Sequence, residues 1–326
     1  MGRKLRHVLI FLLIILKEPN MPEADCDCRS SSHCGKGLTS IPQDLPTSIS
    51  KLNLLSNRRN LITNIHPGTF ANLPKLQELY LSYNQITTIP AGTFGNLPQL
   101  QQLWLDNNKI TTIHSGIFAN LPQLQRLHLY CNKITTIEAG TFGNLPQIEW
   151  LYLNDNQITT IHSGTFANLP KLQELWLNSN QITTIHSGAF ANLPRLKQLY
   201  LSINQITTIP SDTFANLPQI EWLYLNSNQI TTIHSGALAN LPQLQGLWLS
   251  NNKMTAIPPS VFCLFPFNDI IELDDNPWHC DCRMAPVRLI YALKNRIICA
   301  QPAKLQGQKL VDVDPKELTF SPYLFS

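Results

Sequence analysis

The sequence predicts an α/β solenoid, a curved right-handed coil with a parallel β-sheet on its concave side and a disulfide-bonded cap at each end. Three observations carry that expectation. The pattern L-x-x-L-x-L-x-x-N starts at Leu76, Leu100, Leu124, Ile148, Leu172, Leu196, Ile220 and Leu244, 24 residues apart each time. A fixed period of this length is the signature of a stacked-repeat fold. Within each copy, positions 4 and 6 are apolar while positions 3, 5 and 7 vary, the period of two that gives a strand one buried and one solvated face. The eight cysteines gather mostly at the two ends, Cys26, Cys28 and Cys34 and then Cys280, Cys282 and Cys299.

Taken in order, residues 1–22 read as a secretory signal, because basic Arg3, Lys4 and Arg6 precede an apolar run, Val8–Leu16, too short to span a bilayer. Residues 23–48 read as a cysteine cap. A first coil has no neighbour, so its apolar edge needs a cover. Behind a secretory signal, clustered cysteines read as disulfides of an oxidising compartment. The C-x-C spacing and the absence of a His pattern at either cluster argue against zinc. Residues 49–267 are the repeats, beginning with a copy at Ile49 that carries three extra residues around Asn57–Arg59. Each coil retraces the same path, so consecutive strands run parallel, about 4.8 Å apart. The return path, such as Gln157–Pro170, is longer than the strand side and curves the stack, with strands on the inside. Residues 268–326 hold a last degenerate repeat, with Ile271, Leu273 and Asn276 in register, and a second cysteine cap in which Val287–Ile298 reads as a short helix.

Two ladders are expected to hold the coils together. Asparagine recurs at position 9 from Asn84 to Asn276, and its amide can satisfy backbone groups of its own and the adjacent coil. Phenylalanine recurs at Phe70, Phe94, Phe118, Phe142, Phe166, Phe190, Phe214 and Phe262, with Leu238 standing in once, as a buried spine.

Against this nearly constant frame, variation falls at positions 2, 3, 5, 7 and 8. Position 5 reads Tyr80, Trp104, His128, Tyr152, Trp176, Tyr200, Tyr224 and Trp248, and position 3 adds Arg126, Trp150 and Trp222, with Tyr130 at position 7. The aromatics are sorted by type. Eight of thirteen Phe fall on the spine, whereas five of six Trp fall on the strand face. Tyr and Trp are rigid and amphipathic and are enriched at binding surfaces, so these twelve residues are the candidate ligand-binding set. Cross-strand stacking that stiffens the sheet is the competing structural reading. Rings flanked by Asn, Gln, Asp and Glu suit either sugars or a protein epitope. The column His66, His114, His162, His186 and His234 reads as solvated turn positions, because Pro90, Glu138 and Pro210 replace it freely. Cys131, at position 8, reads as a chance substitution near the concave rim.

Charge adds little. The chain holds 24 Lys and Arg against 21 Asp and Glu. Residues 1–22 contain four of the basic residues and one acidic residue, so 20 of each remain beyond them. Neither nucleic acid nor an anionic membrane is implied as a partner, and no later apolar run is long enough to span a membrane. No nucleophile, metalloprotease or phosphate-loop motif occurs. The reading is a protein that is no enzyme, has no cofactor and holds no metal.

The 24-residue coils, the opening C-D-C-R-S-S-S-H-C and the N-P-W-H-C-D-C run at Asn276–Cys282 resemble the extracellular leucine-rich-repeat family. The similarity is greatest to variable lymphocyte receptors and Toll-like receptor ectodomains. The resemblance implies bridges Cys26–Cys34 and Cys280–Cys299, with Cys263 or Cys282 as further partners. One cysteine is missing from each cap relative to the family pattern. It implies a secreted, immune-type recognition protein whose concave face binds an extracellular protein or carbohydrate, on bacterial or other foreign surfaces. Two other readings follow from relatives of the same family. One is a matrix protein similar to the small leucine-rich proteoglycans, with paired concave faces in a homodimer; the other is an adhesion or guidance ligand for a host protein.

Overall fold

The computed structural model describes residues 38–41, 45, 47–55, 61–214, 217–238, 241–257, 270–289 and 297–318. The expected signal, Cys26, Cys28, Cys34, Phe262 and Cys263 lie outside the described residues. The chain divides into two compact units, Met1–Gln157 and Ile158–Ser326.

Both units are built alike. In the first, Lys51–Asn53, Glu78–Tyr80, Gln102–Trp104, Arg126–His128 and Trp150–Tyr152 pair as parallel strands in sequence order. In the second, Glu174–Trp176, Gln198–Tyr200, Trp222–Tyr224, Gly246–Trp248 and Ile270–Glu272 do the same. Register advances by one whole repeat per coil, so every residue meets its own counterpart, as Leu103 meets Leu127. The first pairing, Lys51 with Glu78, spans three residues more. Hydrogen bonds locate the excess: Asn84 reaches back 30 residues to Leu54, where Asn108 reaches 27 to Leu81. Just beyond, Gln85 N–H donates to Ile62 with the offset that Lys109 keeps to Ile86. The extra residues therefore lie between Leu54 and Ile62.

The alternation read from the sequence is the alternation of burial. Leu79, Leu81, Leu103, Leu105, Leu127 and Leu129 are fully buried, while the residues between them face outward. A second layer of two-residue strands, Thr112–Ile113 with Thr136–Ile137, Thr160–Ile161 with Thr184–Ile185 and Thr208–Ile209 with Thr232–Ile233, starts the return path. Turns complete it, among them one with Gly116 in the left-handed region at φ 85°.

Both ladders form. Asn132 Nδ2 donates to Leu105 O of the preceding coil and to its own Leu129 O, at 3.0 and 3.1 Å, and its Oδ1 accepts from Ile110 N–H at 3.0 Å. The same set recurs at Asn108, Asn156, Asn204, Asn228, Asn252 and Asn276. Asn84 departs from it: its Oδ1 is buried without a partner, beside the coil with the extra residues. Phe70, Phe94, Phe118 and Phe142 stack at 6.0–6.1 Å in the first unit. Phe166, Phe190 and Phe214 stack at the same spacing in the second, with Leu238 buried in its place.

The helical component differs from expectation. Among the described residues there is no α-helix. The helices are three-ten turns of the C-terminal cap, at Cys282–Leu289, Ala303–Leu305, Leu310–Asp312 and Pro315–Glu317. Of the helix expected at Val287–Ile298, the described residues 287–289 are three-ten helix and Ile298 is not helical. Ile298 sits in a bridge with Lys309 and leads into the strand Cys299–Gln301, and residues 290–296 lie outside the described residues. The bridging demand of that strand, which pairs with Trp278–His279, outweighs local helix propensity at Ile298. Cys280 and Cys299 are disulfide-bonded, with Cα atoms 5.5 Å apart. Cys282 is unpaired. Buried Trp278 donates its indole N–H to Leu273 O at 3.1 Å, tying the cap to the last coil.

Candidate ligand-binding face

Strand alternation sends positions 3, 5 and 7 outward, and in-register parallel pairing sets each position beside its counterpart one strand spacing away. Planar rings at position 5 therefore stack. Tyr80, Trp104, His128 and Tyr152 follow one another at 4.0, 5.1 and 4.5 Å in the first unit, tilted by at most 13°. Trp176, Tyr200, Tyr224 and Trp248 follow at 3.8, 4.4 and 4.2 Å in the second. Both rows are tighter than the Phe spine at 6.0–6.1 Å. Within each unit the coils thus fan apart towards the Phe side, and the strand side is the concave one.

Position 3 partners the polar handles of these rings. Tyr80 donates its hydroxyl to Glu78 at 2.8 Å, Trp176 its indole N–H to Glu174 at 3.1 Å, and Tyr200 its hydroxyl to Gln198 at 2.5 Å. Lys51 lies 4.7 Å over the Tyr80 ring and pairs with Glu78 at 2.8 Å, which holds its ammonium pKa above the ordinary lysine value. Arg126 covers Trp150 at 4.4 Å. In the second unit Trp222 leans towards Trp248, at 5.7 Å and 41°. Gly246 permits this, since a Cβ there would lie 2.5 Å from Trp222 and 2.6 Å from Trp248.

The twelve residues read from the sequence thus fall into two groups. Tyr80, Trp104, Arg126, His128, Tyr130, Trp150 and Tyr152 belong to the first unit and Trp176, Tyr200, Trp222, Tyr224 and Trp248 to the second. Apart from exposed Arg126 they are half-buried, largely because the rings cover one another. Trp104, His128, Tyr200 and Tyr224 have a ring on both faces, so what they present outward is edges and hydroxyls.

His128 is among the most altered groups of this face. Its Nε2 is buried without a partner, and burial lowers its pKa to about 4, with Arg126 acting in the same sense and Asp106 opposing. Tyr130 meets His128 edge-on at 6.2 Å, and its phenol is pushed above the ordinary range by burial and then by Asp106. Asp106 is 2% exposed and accepts from Ser82 Oγ at 2.6 Å. Burial and the nearby Asp155 and Asp106 push the Cys131 thiol up, the opposite of what a reactive cysteine needs. The histidine column is solvated. His162 and His186 stack at 5.4 Å, and His114 meets Glu138 at 3.0 Å. The carboxylate of Glu138 is held down at about 2, first by the Ser115 N–H and then by His114. Among the described residues no three His, Cys, Asp or Glu side chains converge on a common point.

Sequence reasoning passed over two features of this face. One is the role of Gly246, invisible without knowing where Trp222 leans. The other is the left-handed backbone of position 8, where Tyr83 and Ile203 stand 56% exposed. The frequency of Asn, Asp and Ser in that column was the available signal of a left-handed backbone.

A stacked-coil frame with an outward aromatic row in each unit defines a ligand-binding or interaction scaffold. The leucine rich repeat family model matches residues 34–86, 47–110, 103–158, 149–206, 194–254 and 221–277, and the chain belongs to that family. Leucine-rich repeats and immunoglobulin-like domains protein 1 of Homo sapiens is 37% identical over 84 residues, which cover 23% of this chain and 7% of that protein. The chain therefore spans only a small part of that relative's length. A solved octameric complex of Latrophilin 3, Unc5D and FLRT2, whose FLRT2 part is leucine-rich repeat, aligns with a TM-score of 0.64 at 27% identity, covering 85% of this chain and 93% of that one. The mouse RP105/MD-1 complex aligns at 0.60 and 24% identity over 77% and 44% of the two chains, a likeness of fold alone. The plant peptide hormone receptor RGFR1 bound to RGF2 aligns at 0.53 and 27% identity over 65% and 34%. No described helix is long and apolar enough to cross a membrane.

Proposed function

We propose that this protein is a secreted recognition protein that binds a protein epitope on microbial or other foreign surfaces through its aromatic strand faces. The observation that carries the reading is the ring stacking. Sugar recognition by aromatics needs an open ring face, but here the inner rings cover each other. Ring edges, hydroxyls and the Glu, Gln and Arg side chains of position 3 make a rigid, amphipathic surface of the kind that protein interfaces use. Little side-chain entropy is lost on binding because stacking has already ordered the rings. The FLRT2 complex and the RGF2-bound receptor, both at 27% identity, carry protein or peptide partners, which supports the same class. The signal-like residues 1–22 and the Cys280–Cys299 bridge support secretion. A host-protein ligand is the second reading. It is favoured by the alignment across 93% of a chain from the complex of FLRT2 with Latrophilin 3 and Unc5D.

The test is binding of the purified protein to a panel of bacteria, microbial glycans and host cells, beside a Tyr152→Ala, Trp176→Ala, Tyr200→Ala variant checked for folding by circular dichroism. Binding to bacteria that protease treatment of the cells abolishes, and that the folded variant lacks, is the expected result. Unchanged binding by the variant would move the site off the strand faces. Binding to host cells alone would favour the second reading, and binding to purified glycans would contradict the protein epitope.

A further inference from the structure

Position 8 of the repeat is under a backbone constraint that position 5 does not share. All nine of its described copies, Tyr83, Asn107, Cys131, Asp155, Ser179, Ile203, Ser227, Asn251 and Asp275, have φ between 52 and 58°. Where a coil of the same unit follows, the position-8 N–H donates to the position-7 carbonyl of that next coil. Ser179 donates to Ser202 at 3.0 Å, Ile203 to Asn226 at 3.1 Å and Ser227 to Ser250 at 2.9 Å. That geometry holds whatever the side chain. Asn and Asp enter the left-handed region most easily, and a β-branched side chain there is a genuine outlier. Six of the nine copies are Asn, Asp or Ser, and Ile203 is the one β-branched residue among them.

Packing covers less than half of Ile203. It is 56% exposed, and its counterparts on the neighbouring coils are Ser179 and Ser227. Backbone strain and exposed apolar area are both unfavourable, and Ile203 is too open for full burial to offset them. Strain kept where structure gains nothing from it is a pointer to function. Ile203 stands three residues beyond Tyr200, on the ridge beside the Trp176–Tyr200–Tyr224–Trp248 stack. The groups around it, Ser202, Asn226 and Ser227, are polar and uncharged.

We infer that Ile203 is a binding residue, an apolar knob that enters a hollow on a protein partner whose rim offers uncharged hydrogen-bonding groups. The inference rests on the strand face being the binding surface and extends it by one column. Tyr83, at φ 58° and equally exposed, holds the same place in the first unit. The probe is a phage-displayed random peptide library panned on the immobilised wild-type protein. Recovered clones are then measured against Ile203→Asn, Ile203→Val and Trp176→Ala. Ile203→Asn should raise the melting temperature while lowering affinity by about tenfold or more. Ile203→Val should keep affinity without raising the melting temperature. A melting temperature lowered by Ile203→Asn removes the strain premise and overturns the inference. Clones that need Trp176 but bind Ile203→Asn unchanged also overturn it while leaving the strand-face reading intact. Clones indifferent to both substitutions sink the two together.

Discussion

At the scale of a residue, His128 shows how a repeat turns a tolerated substitution into a constrained one. Tyr or Trp fills its column elsewhere among the stacked copies, and an imidazole set between Trp104 and Tyr152 gains two ring contacts but loses water. The folded chain therefore resists protonating it until about pH 4, whereas the unfolded chain protonates near 6.5. Above pH 6.5 both states are neutral and this residue adds no pH dependence. Between 6.5 and about 4 the unfolded state alone takes up the proton, so stability falls as pH falls, and below that window the loss levels off. From pH 7 to pH 5 the loss from this one group is about 2 kcal/mol. Urea denaturation at the two pH values should show wild type losing that much more than His128→Gln, and parallel losses would contradict the buried neutral imidazole. None of this was legible in the sequence, which shows a His in an aromatic column but not that its Nε2 has no partner. Gly246 is the same kind of omission, since its effect lies in the Trp222 ring of another coil.

At the scale of an element, the sequence was most legible where one residue type repeats at one position. The strands, their register, the Asn ladder and the Phe spine were all readable because identical neighbours impose the same solution on each coil. Even the inserted residues after Leu54 were readable as a break in the count. Legibility failed where periodicity stops. The segment after Cys282 has no counterpart elsewhere in the chain, and local propensity alone wrongly extended a helix through Ile298, which tertiary pairing draws into the cap sheet. The spine carries a direct prediction. Phe166 is fully buried and stacks on Phe190 at 6.0 Å, in a column where no small residue occurs. Phe166→Ala should cost about 3–5 kcal/mol, as truncation of buried aromatics does. A chemical melt showing a loss below about 1 kcal/mol would mean that the coils close over the gap and that the Phe column is filler rather than spine.

At the scale of the whole molecule, a stack of coils has contacts only between neighbours, so its stability is closer to a chain of local terms than to one global term. The Asn ladder makes this concrete, each amide reaching one coil back and no further. An end coil then has a single neighbour plus its cap. At the C-terminal end that cap is held by the Cys280–Cys299 bridge and by the Trp278 indole on Leu273. Replacing both cysteines, as Cys280→Ser with Cys299→Ser, frees a 19-residue separation in the unfolded chain and should cost on the order of 3 kcal/mol. The neighbour-only character predicts where that loss appears. Amide hydrogen exchange should quicken most at Ile270–Glu272, less at Gly246–Trp248, and little at Trp222–Tyr224 and Gln198–Tyr200, because each further coil interposes an intact set of ladder bonds. Uniform quickening across these four strands would instead mean that this unit opens as one cooperative body, and that its ladders transmit a loss at the cap rather than containing it.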